Sequence, residues 1–302
     1  MRVGYVTIVG KPNVGKSTLL NNLMGRKVSI VTPKPGTTRI RVLGVKTVPE
    51  EAQIVFLDTP GLYNPKESDA LGKVMNQLAR QSLEDADLIL FMIDAQEGWR
   101  SKDEAIFQSY IKPYQEEKPI VLAINKIDKI GSAKNVLPMI EDIHKKHPEI
   151  KEIVPISALK GANLDELEKT ILKHLPEGEP LFPEDMTTDL PLRLLAAEIV
   201  REKVMNLTRE EVPTAVAVVI TEIKPGDADP SMLVIKGEII VDRESLKPII
   251  IGKKGQRLKQ IGKLAREELE LIVGKRVYLE LWVKVRPDWR KRPELVRAFL
   301  QF

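Results

Sequence analysis

The sequence predicts two domains in tandem: an α/β domain with a mostly parallel sheet covered by helices on both faces, then a smaller α+β domain running α-β-β-α-α-β. Three observations carry this reading. Across residues 5–175, short apolar runs alternate with segments of helical spacing, the pattern of strands buried on both faces. Residues 176–183 then hold three prolines and a glycine, where no helix can continue. Finally, 302 residues exceed what one hydrophobic core normally serves. The expected boundaries are 1–178 for the first domain, 179–190 for a linker, and 191–302 for the second domain with a basic C-terminal tail.

In the first domain the apolar runs at 5–9, 54–57, 88–93, 120–124 and 153–156 read as strands, and 17–23, 70–83, 102–111, 136–144 and 164–175 as helices. In the second, an amphipathic helix over 191–206 precedes alternating strands at 214–223 and 232–241, a helical stretch, and a last strand at 276–285. The two halves share no repeat, so they are different domains rather than copies.

Composition excludes several function classes. No run approaches the roughly 20 apolar residues of a membrane span, and the chain enters its first strand without a basic leader or cleavage site, which predicts a cytoplasmic protein. With no cysteine, disulfides, thiolate metal sites and thiol chemistry are excluded. The net charge of +4 is unevenly placed. Residues 1–180 hold 25 Lys and Arg against 24 Asp and Glu, whereas 243–297 hold 16 against 7, so the basic surface belongs to the C-terminal end.

The chemistry is concentrated at strand ends. The strand ending at Val9 runs into Gly10-Lys11-Pro12-Asn13-Val14-Gly15-Lys16-Ser17, followed by Thr18, in the order strand, glycine loop, helix. Glycines let such a loop curl so that backbone N–H groups face phosphate oxygens, and the following helix adds its positive N-terminus. Lys16 is suited to neutralise the β and γ phosphates, and the Ser17 hydroxyl to ligate magnesium. At the next strand tip, Asp58-Thr59-Pro60-Gly61 offers a carboxylate toward a magnesium-bound water and the Gly61 N–H toward a γ-phosphate. Asn125-Lys126-Ile127-Asp128 discriminates most. The Asp128 carboxylate can accept from both N1–H and the N2 amine of guanine, a donor pair that adenine lacks. Ser157-Ala158-Leu159, after the following strand, completes a base pocket.

These motifs, in this order, resemble the GTPase superfamily of phosphate-loop proteins throughout residues 1–175. The resemblance implies GTP as substrate, GDP as product and Mg2+ as cofactor, with Ser17, Thr38 and Asp58 toward the metal and Lys16, Thr38 and Gly61 toward the reacting phosphate. Thr38 falls in Pro35-Gly36-Thr37-Thr38-Arg39, where the family keeps its first switch, with Thr37 as its rival. One departure stands out: Leu62 occupies the place of the glutamine that orients water in many relatives, which implies slow intrinsic turnover. In relatives with an apolar residue there, the asparagine matching Asn13 helps hold K+, an expectation carried to this chain beside the plainer one that Asn13 stabilises the loop turn.

In the basic region, Ile249-Ile250-Ile251-Gly252-Lys253-Lys254-Gly255-Gln256-Arg257-Leu258 sets a glycine-bounded doubly basic turn between helical segments. Together with the α-β-β-α-α-β order, this resembles a KH domain of type II. Ile251, Gly252, Lys253, Lys254, Gly255 and Arg257 are then expected at the backbone of single-stranded RNA, with Ile250, Ile251, Leu258 and Ile261 lining the base groove. Trp282 and Trp289 are expected to pack rather than to stack on bases. His144 and His147, spaced like a metal pair, are expected on a solvated face because no further ligand is near in sequence.

A GTPase domain joined to a C-terminal KH domain is similar to a bacterial GTPase family of small-ribosomal-subunit assembly. That resemblance implies a monomer whose KH domain binds small-subunit rRNA near its 3′ end on the 30S subunit under control of GTP, with peripheral association with the inner membrane. The rivals are a phosphate-loop kinase, opposed by the guanine-selecting Asp128; an RNA-binding protein that holds GTP without meaningful turnover, favoured by Leu62; and a C-terminal domain that docks protein rather than RNA.

Overall fold

The computed structural model describes residues 1–63, 69–131 and 133–300. The chain folds as two compact units: Met1–Val31, Thr38–Asn64 and Met75–Asp189 form the first, while the second includes Leu190–Phe302 and the short segment Thr32–Thr37.

The first unit is the expected α/β domain. Strands β1 (Arg2–Val9), β2 (Val42–Val48), β3 (Ala52–Asp58), β4 (Leu88–Asp94), β5 (Ile120–Asn125) and β6 (Glu152–Pro155) form one sheet in the order β2-β3-β1-β4-β5-β6. All pairings are parallel except β2 with β3. Helices α1 (Lys16–Met24), α2 (Ala70–Asp85), α3 (Ser101–Ile106, continued by a π turn to Ile111), α4 (Leu137–Lys146) and α5 (Leu164–His174) supply the crossovers. Every residue of β3, β4 and β5 is buried, as a sheet covered on both faces requires. Because β1 lies between β3 and β4, the order reverses there, and the loops at the C-terminal strand ends open at that point.

Strand β2 carries Lys46, Thr47 and a glycine and shows no clean alternation, so it is absent from the expected strands. It forms because it adds antiparallel to β3 and needs no crossover. Gly44 lets α1 lie close: a Cβ there would stand 2.8 Å from Leu20 Cδ1. The stretch expected as a linker is fastened to this unit, since the buried Gln53 accepts from the N–H groups of Leu181 and Phe182, and Val45 N–H donates to Thr187 O.

One expectation is corrected. His147 does not share a solvated face with His144. Helix α4 ends at Lys146, and the His147 ring turns inward to stack on Trp99 at 4.4 Å between centroids, with Nε2 3.0 Å from Glu104. Among the described residues no cluster of His, Cys, Asp and Glu could hold a metal, and no helix is long and apolar enough to cross a membrane.

The second unit runs α6 (Leu192–Leu207), a short α7 (Val212–Ala215), β7 (Val216–Pro225), β8 (Leu233–Val241), α8 (Lys247–Ile251), α9 (Gln256–Val273), β9 (Val277–Val285) and α10 (Pro293–Leu300). Its sheet order is β7-β8-β9, with β7 antiparallel and β9 parallel to β8. The basic tail folds as a turn and α10. Trp289 anchors it: the indole is fully buried and its Nε1–H donates to Ala215 O at 2.9 Å. Trp282, by contrast, is 42% exposed. Truncating Trp289 to Ala therefore removes an aromatic core contact and leaves the Ala215 carbonyl unpaired, an expected loss of about 3–5 kcal/mol. Urea unfolding of the full chain measures it; an unchanged midpoint would contradict the anchor.

Candidate functional site

The phosphate loop has the left-handed backbone its glycines permit. Gly10 has φ 156°, and a Cβ there would meet Met92 O at 2.5 Å; Gly15 has φ 104°, and a Cβ would stand 2.4 Å from Asn125 Nδ2. Asn13 also lies in the left-handed region, at φ 66°. Lys16, buried on the first turn of α1, turns back over the loop and donates to the carbonyls of Gly10 and Lys11, each at 3.1 Å. Burial pushes its ammonium down to about 8 despite the attraction of Asp58. The loop's second lysine points elsewhere: Lys11 Nζ lies 2.5 Å from Glu97 and 3.0 Å from the fully buried Asp103, so only its backbone faces the site. Thr18 sits half-buried in the same turn.

Ser17, Thr38 and Asp58 meet although they are far apart in sequence. Ser17 Oγ donates to Asp58 Oδ2 at 2.6 Å and lies 2.8 Å from Thr38 Oγ1. Ser29, missed from the sequence, donates to the same carboxylate oxygen at 2.9 Å. Asp58 is fully buried and its Oδ1 has no partner. Burial holds this carboxyl above the usual range, opposed by Lys16 and by the hydroxyls of Ser17, Ser29 and Thr38. Two hydroxyls and a carboxylate with one unused oxygen make an all-oxygen donor set for a hard divalent cation, and the residues fit magnesium.

Thr59, expected toward the nucleotide, instead faces the sheet and donates to Ile8 O at 2.8 Å. Pro60 and Gly61 are buried beside the loop; a Cβ on Gly61 would stand 2.8 Å from Pro12, so only glycine brings this backbone so close. Leu62 N–H donates to Gly10 O at 3.2 Å, and its side chain is buried among Val9, Ala79, Phe91 and Ile93. It is a core residue.

The base-pocket residues also converge. Buried Asn125 donates from Nδ2 to Val14 O at 2.7 Å and accepts from Ala158 N–H at 2.8 Å, joining the phosphate loop to the last strand end. Lys126, at φ 70°, spans from Asn13 O at 2.7 Å to Asp94 Oδ2 at 2.6 Å. Asp128 is exposed and accepts from Ser157 Oγ at 2.5 Å, while Leu159 is 66% exposed. Asp94 and Asn22, which donates to Ala158 O at 2.8 Å, were missed; Asp94 was legible as a carboxylate at a strand tip.

In the second unit, Gly252 (φ 72°), Lys254 (φ 52°) and Gly255 (φ 75°) form the tight turn between α8 and α9, with Lys253 and Lys254 exposed. Arg257 braces this turn by donating to Ile249 O. Between α9 and the edge strand β9 lies a groove of about 750 Å³, lined by Leu258, Leu279 and Leu281, the exposed Tyr278, and Lys259, Lys263 and Arg266 on one face of α9. Ile250 and Ile261, expected in the groove, are fully buried in the core, and Ile251 packs against that core.

The model of 50S ribosome-binding GTPases matches residues 5–126, and the KH domain model residues 211–290. GTPase Era of Aquifex aeolicus is 78% identical over 299 residues, 99% of each chain. The chain belongs to the Era family of GTPases. Among solved structures, an Era complex with MgGDPNP and nucleotides 1506–1542 of 16S ribosomal RNA superposes with a TM-score of 0.98, at 78% identity over 99% of this chain and 98% of that one. An Aquifex aeolicus Era variant bound to GDP·AlF4⁻ gives 0.97 at 77% identity, over 99% of each chain. Era membership makes this chain a GTPase, and its fold is the one the motifs led us to expect.

Replacing Asn125 by Ala leaves Val14 O and Ala158 N–H without partners. We expect a stability loss of about 2–4 kcal/mol and a larger loss of GDP affinity, from unfolding and calorimetry. Wild-type GDP affinity in the variant would contradict the bridging role.

Proposed function

We propose that the chain is a GTP-driven RNA-binding switch of small-ribosomal-subunit assembly, hydrolysing GTP at the first unit and holding single-stranded rRNA near the 3′ end of the small-subunit rRNA on the second. The observation that carries it is the complete set of polar groups for magnesium and guanine in one unit of a chain whose other unit presents a basic, glycine-edged groove. The relative crystallised with MgGDPNP and 16S rRNA supports both halves. Ser17, Thr38 and Asp58 would hold magnesium, which supplies positive charge at the β and γ phosphates. Lys16 exchanges the carbonyls of Gly10 and Lys11 for phosphate oxygens, Gly61 N–H faces the γ-phosphate, and Asp128 reads guanine. Because Leu62 lies in the core, no side chain at that position orients the attacking water, and intrinsic turnover is slow.

On the second unit, Gly252 and Gly255 let the RNA backbone approach, with Lys253 and Lys254 on phosphates and Ile251 and Arg257 shaping the turn. The chain works as a cytoplasmic monomer on the 30S subunit; peripheral contact with the inner membrane rests on the family resemblance alone. The burial of Leu62 also favours a second reading, an RNA-binding protein that holds GTP structurally.

The deciding experiment measures affinity for a 3′-end rRNA oligonucleotide with the chain loaded with a non-hydrolysable GTP analogue or with GDP, at one salt concentration. Several-fold tighter binding of the analogue form is expected; equal affinities would overturn the switch. Reversing Lys253 and Lys254 to Glu should weaken RNA binding and lower the salt slope by about 1.4, for two phosphate contacts on a single strand. An unchanged slope would point to a protein-docking surface. Phosphate release should be measurable and faster in K+ than in Na+ if Asn13 helps hold potassium; no release in either would leave the structural reading.

A further inference from the structure

The phosphate loop carries two lysines, and the first is held by acidic groups that the nucleotide chemistry does not use. Lys11 sends its ammonium out of the loop to Glu97, at 2.5 Å, and to Asp103 Oδ2, at 3.0 Å. The Glu97 side chain is more than half exposed, but Asp103 is fully buried on the first turn of α3, where Oδ2 also accepts from the Arg100 N–H at 3.1 Å. Against burial, which disfavours its charge, the hydrogen bonds and attraction of Glu97 and Asp103 hold the Lys11 ammonium above its usual range. A carboxylate taken out of water is costly to keep, and losing its partner would leave an uncompensated charge, so Asp103 fixes where the lysine stands.

The backbone shows why that place matters. A loop that faces phosphates with its N–H groups must turn its carbonyls away and satisfy them elsewhere. At the loop's exit, Asn13 O accepts from Lys126 Nζ and Val14 O from Asn125 Nδ2, both at the end of β5. At its entry, the carbonyls of Gly10 and Lys11 accept from Lys16 Nζ, each at 3.1 Å. Lys16 is the group that turns to the phosphates on binding, so its bonds do not hold the entry in the loaded state. Gly10 is wedged against β4, where a Cβ would meet Met92 O at 2.5 Å, and the Lys11 side chain ties the next residue to the segment that follows β4. Pro12 comes next with its fixed φ, so the place of Lys11 sets the direction in which the loop turns.

We propose that Asp103 is a positioning residue for the β-phosphate: through Lys11 it holds the entry of the phosphate loop in its binding shape, both before nucleotide arrives and after Lys16 has turned to the phosphates. This rests on the loop being the phosphate cradle of the proposed function. The cradle serves phosphates that GTP and GDP share, so the tether raises affinity for both alike. It acts through backbone rather than through magnesium. GMP, which lacks the β-phosphate, gains little from it.

The test uses the full chain and competition binding of a non-hydrolysable GTP analogue, GDP and GMP, in magnesium and in chelator. Asp103→Asn, which keeps the shape and removes the charge, should lose about tenfold for GDP, equivalent to about 1.4 kcal/mol. The analogue should lose the same factor, GMP should stay within about twofold of wild type, and the GDP loss should persist in chelator. Lys11→Met, which keeps the stem and removes the ammonium, should reproduce this pattern; should Asp103→Asn fail to fold, this variant decides. The double variant should lose no more than the larger single loss, because the two changes break one contact. Glu97→Gln, at an exposed partner, should cost less than about twofold. Equal losses for GMP and GDP would reduce Asp103 to a structural residue of α3, and additive losses in the double variant would break the link between the two side chains. Wild-type GDP affinity in the folded single variants would overturn the proposal. A wild type that binds GDP no tighter than GMP would instead overturn the phosphate-loop reading itself.

Discussion

The nucleotide unit is organised around one buried charge. Asp58 ends β3 with no access to solvent, gives one oxygen to the hydroxyls of Ser17 and Ser29, and leaves the other without a partner. A carboxylate removed from water is costly unless a cation or enough donors face it. The chain supplies only part of that compensation, through hydroxyls and the nearby Lys16, whose own ammonium is disfavoured by burial. Strand order brings these groups together, since β1, which launches the phosphate loop, lies next to β3, which ends in Asp58. The sheet holds an incomplete electrostatic arrangement that, under the proposed function, a magnesium–triphosphate complex would complete.

Asn125 and Lys126 solve the accompanying problem of holding loops from separate strands at one ligand. Asn125 ties β5 to the phosphate loop and to the Ala158 turn by two buried bonds, and Lys126 adds a strap from Asn13 to Asp94. Asp128 is left at the surface with one Ser157 contact, free to face a base. The second unit handles charge differently: Lys253 and Lys254 stand outward on the turn and Lys259 and Lys263 along α9, suited to a polyanion that stays in solvent, whereas Arg201 is buried.

Much of this was legible from local pattern. The phosphate loop, the Asp58 tip, Asn125 to Asp128 and the glycine-bounded turn each sit at the end of an apolar run, where periodicity stops and chemistry begins. What escaped depended on which neighbour a residue would meet. Ser29 has no motif around it and reaches Asp58 only because the chain after α1 folds back past β3. Thr59 lies within a recognised motif yet faces Ile8, because a strand end alternates its side chains between faces. His147 and Ile261 carry polar and apolar signals that their elements turned the other way, and Asp103 gives no local hint that it will hold a lysine of the phosphate loop.

The claim that Asp58 is an incompletely compensated buried charge completed by metal and triphosphate is tested most directly by the thermal unfolding of wild type and Asp58→Asn, each with a GTP analogue in excess magnesium or in chelator. Without magnesium the Asn variant should be at least as stable as wild type, because a neutral amide replaces a disfavoured carboxylate; on adding magnesium, only the wild type should rise further. An Asp58→Asn protein that is much less stable without metal, or that keeps the full magnesium-dependent gain, would contradict the account.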